Sequence, residues 1–97
     1  MVSGNVYIRV NYYGILREVT GKDSEEIAVE SVSLNDLIKN LSKRFGDPFK
    51  KFFYRGEELH PQINIFINHG VIPPHKIPET QLHHEDQIDL FVPASGG

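Results

Sequence analysis

No cysteine and no tryptophan occur among the 97 residues of this chain. The missing thiols exclude disulfides, thiolate metal sites, cysteine nucleophiles and cysteine persulfides together. Any sulfur the protein handled covalently would have to sit on its C-terminus. An excess of positive charge is lacking as well. Ten Lys and Arg stand against thirteen Asp and Glu, for a net charge of −3. The basic residues are scattered, with Lys43-Arg44 and Lys50-Lys51 the densest runs, so nothing in the pattern builds a nucleic-acid face. No apolar run approaches the roughly 18–20 residues of a membrane span. Met1-Val2-Ser3-Gly4 lacks the apolar stretch of a signal peptide. The expectation is a cytoplasmic protein with neither nucleic acid nor membrane as a partner.

What is present is enough apolar material for one core, 39% of residues, in a length that suits one domain. There are no internal repeats or low-complexity tracts, so residues 1–97 read as a single domain with a flexible tail at 93–97. Val6, Ile8, Val10 and Tyr12 alternate with Tyr7, Arg9, Asn11 and Tyr13, the period of a half-buried strand. Gly14 ends it, and a loop is expected as far as Gly21-Lys22-Asp23. Ile27 and Val29, between Glu26, Ala28 and Glu30, mark a second strand that pairs with the first as a hairpin. Leu34, Leu37, Ile38, Leu41 and Phe45 form one apolar stripe of a helix over 34–45. Ser33 is its N-cap candidate, Asp36 completes a weak capping box, and Gly46 suits the residue after the helix. Asp47-Pro48 then starts a short helical turn carrying Phe49, Phe52 and Phe53 to the core. Arg55 to Glu58 read as a polar turn.

Ile63, Ile65 and Ile67 predict a third strand, closed by Asn68-His69-Gly70, after which Val71-Ile72 returns as a short edge. Pro73, Pro74 and Pro78 exclude regular helix or central strand over the next stretch. Ile88, Leu90 and Val92 mark a last strand. One substantial helix and a handful of strands fit one mixed sheet with the helix across one face. That is an α+β, β-grasp (ubiquitin-like) arrangement.

Two glycines, Gly96-Gly97, close the sequence. Lacking Cβ atoms, they can enter a slot too narrow for other residues. The segment from Pro93 to Gly97 could reach roughly 16–18 Å from a folded body. A frayed terminus is the plain alternative. The five histidines, His60, His69, His75, His83 and His84, have no spacing that places two ligands on one helix face, and no cysteine supports them. They read as surface loop residues, and no metal site is expected. Asp86 and Asp89 read as turn and surface residues rather than catalytic acids. Arg17 and Glu18 suit either a partner contact or a local ion pair.

Three segments resemble the small sulfur-carrying subunit of molybdopterin synthase (MoaD-like), among the ubiquitin-like MoaD/ThiS sulfur carriers. They are Val6 to Gly21, with its aromatic pair and Leu16-Arg17-Glu18; Ser33 to Leu41; and Leu90-Phe91-Val92-Pro93-Ala94-Ser95-Gly96-Gly97. Glu85-Asp86 departs from the glycine-aspartate turn usual before the last strand, and the stretch Val71 to Pro78 is long for the family. The resemblance implies that the chain is not catalytic alone and binds no cofactor. An E1-like adenylyltransferase would use ATP and magnesium to adenylate the Gly97 carboxylate, with Gly96 providing the slim approach. A sulfur donor would then leave a thiocarboxylate, and the molybdopterin synthase large subunit would accept the tail. Conjugation of Gly97 to protein lysines, or sulfur transfer toward thiamine or tRNA, remain alternatives. If the inward residues face the helix, Phe66 and Phe91 fall on the opposite sheet face, with Tyr7 and Arg9 one strand over. These four, with Pro93 and Ser95 of the tail, are the expected partner-binding residues.

Overall fold

The computed structural model describes residues 6–92. The expectations on Pro93, Ser95, Gly96 and Gly97 lie outside the described residues. A five-stranded mixed sheet runs in the order β2-β1-β7-β5-β6. Its strands are β1 (Val6–Tyr12), β2 (Ser24–Val29), β5 (Asn64–Ile67), β6 (Gly70–Ile72) and β7 (Gln87–Phe91). The first and last strands lie side by side and parallel, Arg9 level with Gln87 and Tyr12 with Leu90. A two-stranded ribbon, β3 (Tyr54–Arg55) with β4 (Glu58–Leu59), flanks the turn at Gly56.

The helix α2 (Leu34–Phe45) has the bounds that the apolar stripe predicts. Leu34, Leu37, Ile38 and Leu41 enter one core with Ile8, Val10 and Tyr12 of β1, Ile65 of β5, and Ile88 and Leu90 of β7. The Ser33 hydroxyl accepts from the Asp36 N–H at 3.2 Å. The return bond of the capping box runs through a third residue. Ser31 Oγ donates to the Asp36 carboxylate at 2.7 Å and accepts from the Ser33 N–H at 3.2 Å. An aspartate is one carbon shorter than the glutamate of a full capping box, and the serine spans the gap. α3 (Asp47–Phe53) follows after Gly46 and buries Phe49, Phe52 and Phe53, as expected of a core cluster.

Four expectations need correction. Residues 15–20 form a short helix, α1 (Ile15–Thr20), in place of a loop. It sits between Gly14 and Gly21 and buries Leu16, and six residues are too few to display a helical period. The proline-rich stretch folds as a 3-10 helix over Pro74–Glu79 that buries Ile77. His60 is buried, its Nδ1 accepting from the Gln62 N–H at 3.1 Å, so it is no surface residue. Asp86 and Asp89 are buried too. Asp86 does serve a turn, taking the His83 N–H at 2.8 Å and the Asn68 amide at 2.8 Å. Arg17 forms the local ion pair, 3.2 Å from Asp23. No helix among the described residues is long and apolar enough to cross a membrane.

Candidate functional site

β7 delivers the chain to Val92, the last described residue, from the middle of the sheet. This end of β7 is therefore the described part of the chain nearest in sequence to the tail. Strand alternation buries Ile88 and Leu90 under α2 and turns Asp89 and Phe91 to the open face. The antiparallel neighbour β5 buries Ile65 and presents Phe66 on the same open face, level with Asp89. The Phe66 and Phe91 rings meet edge to face, centroids 5.5 Å apart and planes at 82°. A third ring comes from just beyond β1. Tyr13 stacks on Phe91 at 4.4 Å with planes 7° apart.

A carboxylate lies under these rings. Asp89 is only 9% exposed. Its Oδ1 accepts from the Asn11 amide at 2.7 Å and from the Tyr13 hydroxyl at 3.2 Å. Burial, reinforced by the Asp89 charge and hydrogen bond, pushes the Tyr13 phenol above its usual value despite the opposing Arg17 charge. Tyr13 is therefore a neutral donor near neutral pH, fixed by stacking at one side and by a carboxylate at its tip. Asn64, Phe66, His69, Asp89 and Phe91 line a shallow concavity of about 590 Å³ beside this end of the sheet.

The structure brings Phe66 and Phe91 together as expected, and it keeps Tyr7 and Arg9 away from them. Arg9 is level with Gln87, four residues or roughly 13 Å along the strand from Phe91. Arg9 faces Glu26 at 3.6 Å and donates to Ser24 Oγ at 3.2 Å. Tyr7 packs edge-on against His84 at 5.9 Å, and its N–H donates to His84 Nδ1 at 3.1 Å. These two residues border a separate cleft with Glu85 and Gln87. Tyr13, Asn11 and Asp89 were not among the expected partner residues. Asn11 and Tyr13 share the strand parity of Tyr7 and Arg9, which was the available signal. Among the described residues no group of three or more His, Asp or Glu side chains is placed to hold a metal ion.

The model of the ThiS family matches residues 10–97. The chain belongs to the ThiS family. A candidate sulfur carrier protein of Archaeoglobus fulgidus is 32% identical over 72 residues, covering 74% of this chain and 82% of that one. The solution structure of small archaeal modifier protein 1 from Methanosarcina acetivorans superposes with a TM-score of 0.75 at 28% identity, covering 98% of this chain and all of that one. A structure from Pyrococcus furiosus, proposed to be subunit 1 of the molybdopterin converting factor, superposes at 0.66 with 27% identity, covering 91% and 98%. The resemblance read from the three segments holds at the level of this superfamily, and the β-grasp fold with it.

Proposed function

We propose that this ThiS-family protein carries sulfur on the carboxylate of Gly97 and delivers it in molybdopterin biosynthesis. The observation that carries the reading is a family match that runs through the closing Gly96-Gly97. The likeness to the Pyrococcus furiosus protein favours the molybdopterin route. The chemistry suits a chain without cysteine. A free α-carboxyl, with a pKa of about 3.3–3.7, is ionised at neutral pH and is a poor electrophile. An E1-like adenylyltransferase overcomes this with ATP and magnesium, joining the carboxylate to AMP with release of pyrophosphate. A sulfur donor displaces AMP and leaves the thiocarboxylate. The acids and bases for these steps belong to the partners, and the chain contributes the tail and a docking face.

Phe66, Phe91 and Tyr13 are the docking face of this proposal, because they surround the end of the strand that leads into the tail. A half-exposed aromatic cluster with a neutral phenol donor has the composition of an interface centre. The large subunit of molybdopterin synthase is the proposed acceptor.

A second reading is conjugation of Gly97 to lysines of other proteins, favoured by the likeness to the Methanosarcina acetivorans modifier protein. Both readings share the adenylate and differ in the final nucleophile. The deciding measurement is the intact mass after incubation with an E1-like enzyme, ATP, magnesium and a sulfur donor. Exchange of one oxygen for sulfur, followed by its loss on adding the synthase large subunit and pterin precursor, is the expected result. Adducts to other proteins that vanish when Gly97 is deleted would favour conjugation. An unaltered mass under all these conditions would sink both.

A further inference from the structure

Among the described residues, two hydroxyls on the helical side of the molecule lack partners. Ser42 Oγ of α2 and Tyr54 OH, just after α3, are shielded from solvent and make no hydrogen bond among the described residues. Ser42 is 6% exposed. A buried polar group left unpaired is costly, and in native proteins such groups mark the place of a water, an ion or a ligand. Burial holds the Tyr54 phenol above its usual value, so it remains a donor at neutral pH.

Both residues line one concavity of about 510 Å³, bordered by Lys39, Lys43, Lys50, Asp47 and Glu57. None of the three lysines forms an ion pair among the described residues. Lys39 and Lys43 stand one turn apart on α2, and Lys50 comes from α3. Two residues with unpaired hydroxyls and three lysines thus border one space. Its volume falls within the roughly 300–1,000 Å³ of small-molecule sites, more than a bare ion needs.

We propose that this concavity binds a small phosphate ester carrying free hydroxyls. The lysines and the Ser42 and Tyr54 hydroxyls meet the phosphate oxygens, and Asp47 and Glu57 accept from the hydroxyls of the remainder. Binding requires a local movement that opens the two shielded hydroxyls to the phosphate. The site involves neither the tail nor the aromatic face, so it stands whether or not the sulfur-carrier reading does.

The test is an amide NMR titration of the full chain with ribose 5-phosphate, with inorganic phosphate and ribose as separate arms. Saturable shifts at residues 39–43, 50 and 54–57 are expected with the ester. Weaker binding is expected with phosphate, and none with ribose. Ser42→Ala removes a buried hydroxyl unpaired among the described residues, so it should leave the unfolding midpoint at or above the wild-type value while weakening the ester about tenfold. Lys43→Gln should weaken it by a similar factor. Shifts spread over all surface lysines and insensitive to both variants would mean an adventitious ion only and overturn the proposal. Equal affinity for phosphate and ester, or no saturable shift at all, would overturn it too.

Discussion

Glu25 is a carboxylate placed where alternation calls for an apolar residue. It lies level with Val10 across the β1–β2 pair and therefore points to the helix side of the sheet. The Tyr12 hydroxyl donates to it at 2.5 Å, Arg44 from the last turn of α2 pairs with it, and Lys22 Nζ stands 3.3 Å away. Burial works against the charged form, but the Tyr12 hydrogen bond and the two cations outweigh it and hold the carboxyl below its usual range. The same burial and the Glu25 contact push the Tyr12 phenol far above its own. Because the folded pKa of Glu25 is depressed, its stabilisation is fully present above the unfolded value of about 4.3 and is withdrawn as pH falls through the folded one. Glu25→Gln should therefore cost about 1.5–3 kcal/mol at neutral pH, the range for hydrogen bonds to a charged group. The difference from wild type should narrow steadily in acid. Urea unfolding of both proteins across that range checks the sign. Sequence could have flagged Glu25, since it shares the parity of the inward Ile27 and Val29. Lys22, three residues before it, is a local partner, but sequence could not supply Tyr12 and Arg44, which lie 13 and 19 residues away and meet it only through the topology.

At the scale of elements, the legible parts were those long enough to repeat a period. α2 shows its stripe over three turns, and its end is marked by Gly46. There φ is 79° and ψ −163°, a combination essentially reserved for glycine. This one residue ends α2, its N–H donating to the Ser42 carbonyl at 2.9 Å, and turns the chain directly into α3. A Cβ placed at Gly46 would meet Pro48 Cδ at 3.7 Å, an ordinary contact. The cost of Gly46→Ala is thus backbone strain rather than collision, about 1–3 kcal/mol. Chemical denaturation should show that loss, and helix content below the transition should stay at the wild-type level. α1 escaped notice for the opposite reason, having one buried residue, Leu16, and no period to read. Its limits are geometric. Gly14 and Gly21 both take positive φ, and the Gly21 N–H closes the helix on the Arg17 carbonyl at 2.8 Å. The open face was half legible for a related reason. Parity places Phe66 and Phe91 on it, but which rings touch depends on the parallel register of β1 with β7. That register carries Tyr13 to Phe91 and leaves Tyr7 beside His84.

For the whole molecule, the fold and the proposed chemistry occupy separate stretches of chain. Every buried apolar side chain among the described residues lies between Ile8 and Leu90. Deleting Gly96 and Gly97 removes none of them, so unfolding should stay within about 0.5 kcal/mol of wild type. Thiocarboxylate formation should be lost completely, at any concentration of the activating enzyme. Truncating the aromatic face should fail in a different way. Phe66→Ala with Phe91→Ala leaves Gly97 in place and strips two rings from the proposed docking surface. Interface centres of this kind contribute more than about 1 kcal/mol per residue. The double variant should therefore raise KM for the activating enzyme about tenfold or more, with kcat retained at saturation. Steady-state kinetics of pyrophosphate release separate the two defects. Unchanged KM in the double variant would remove the aromatic face from the docking surface and leave the tail alone to be recognised. A lowered kcat would place the rings in positioning the tail for adenylation rather than in holding the partner.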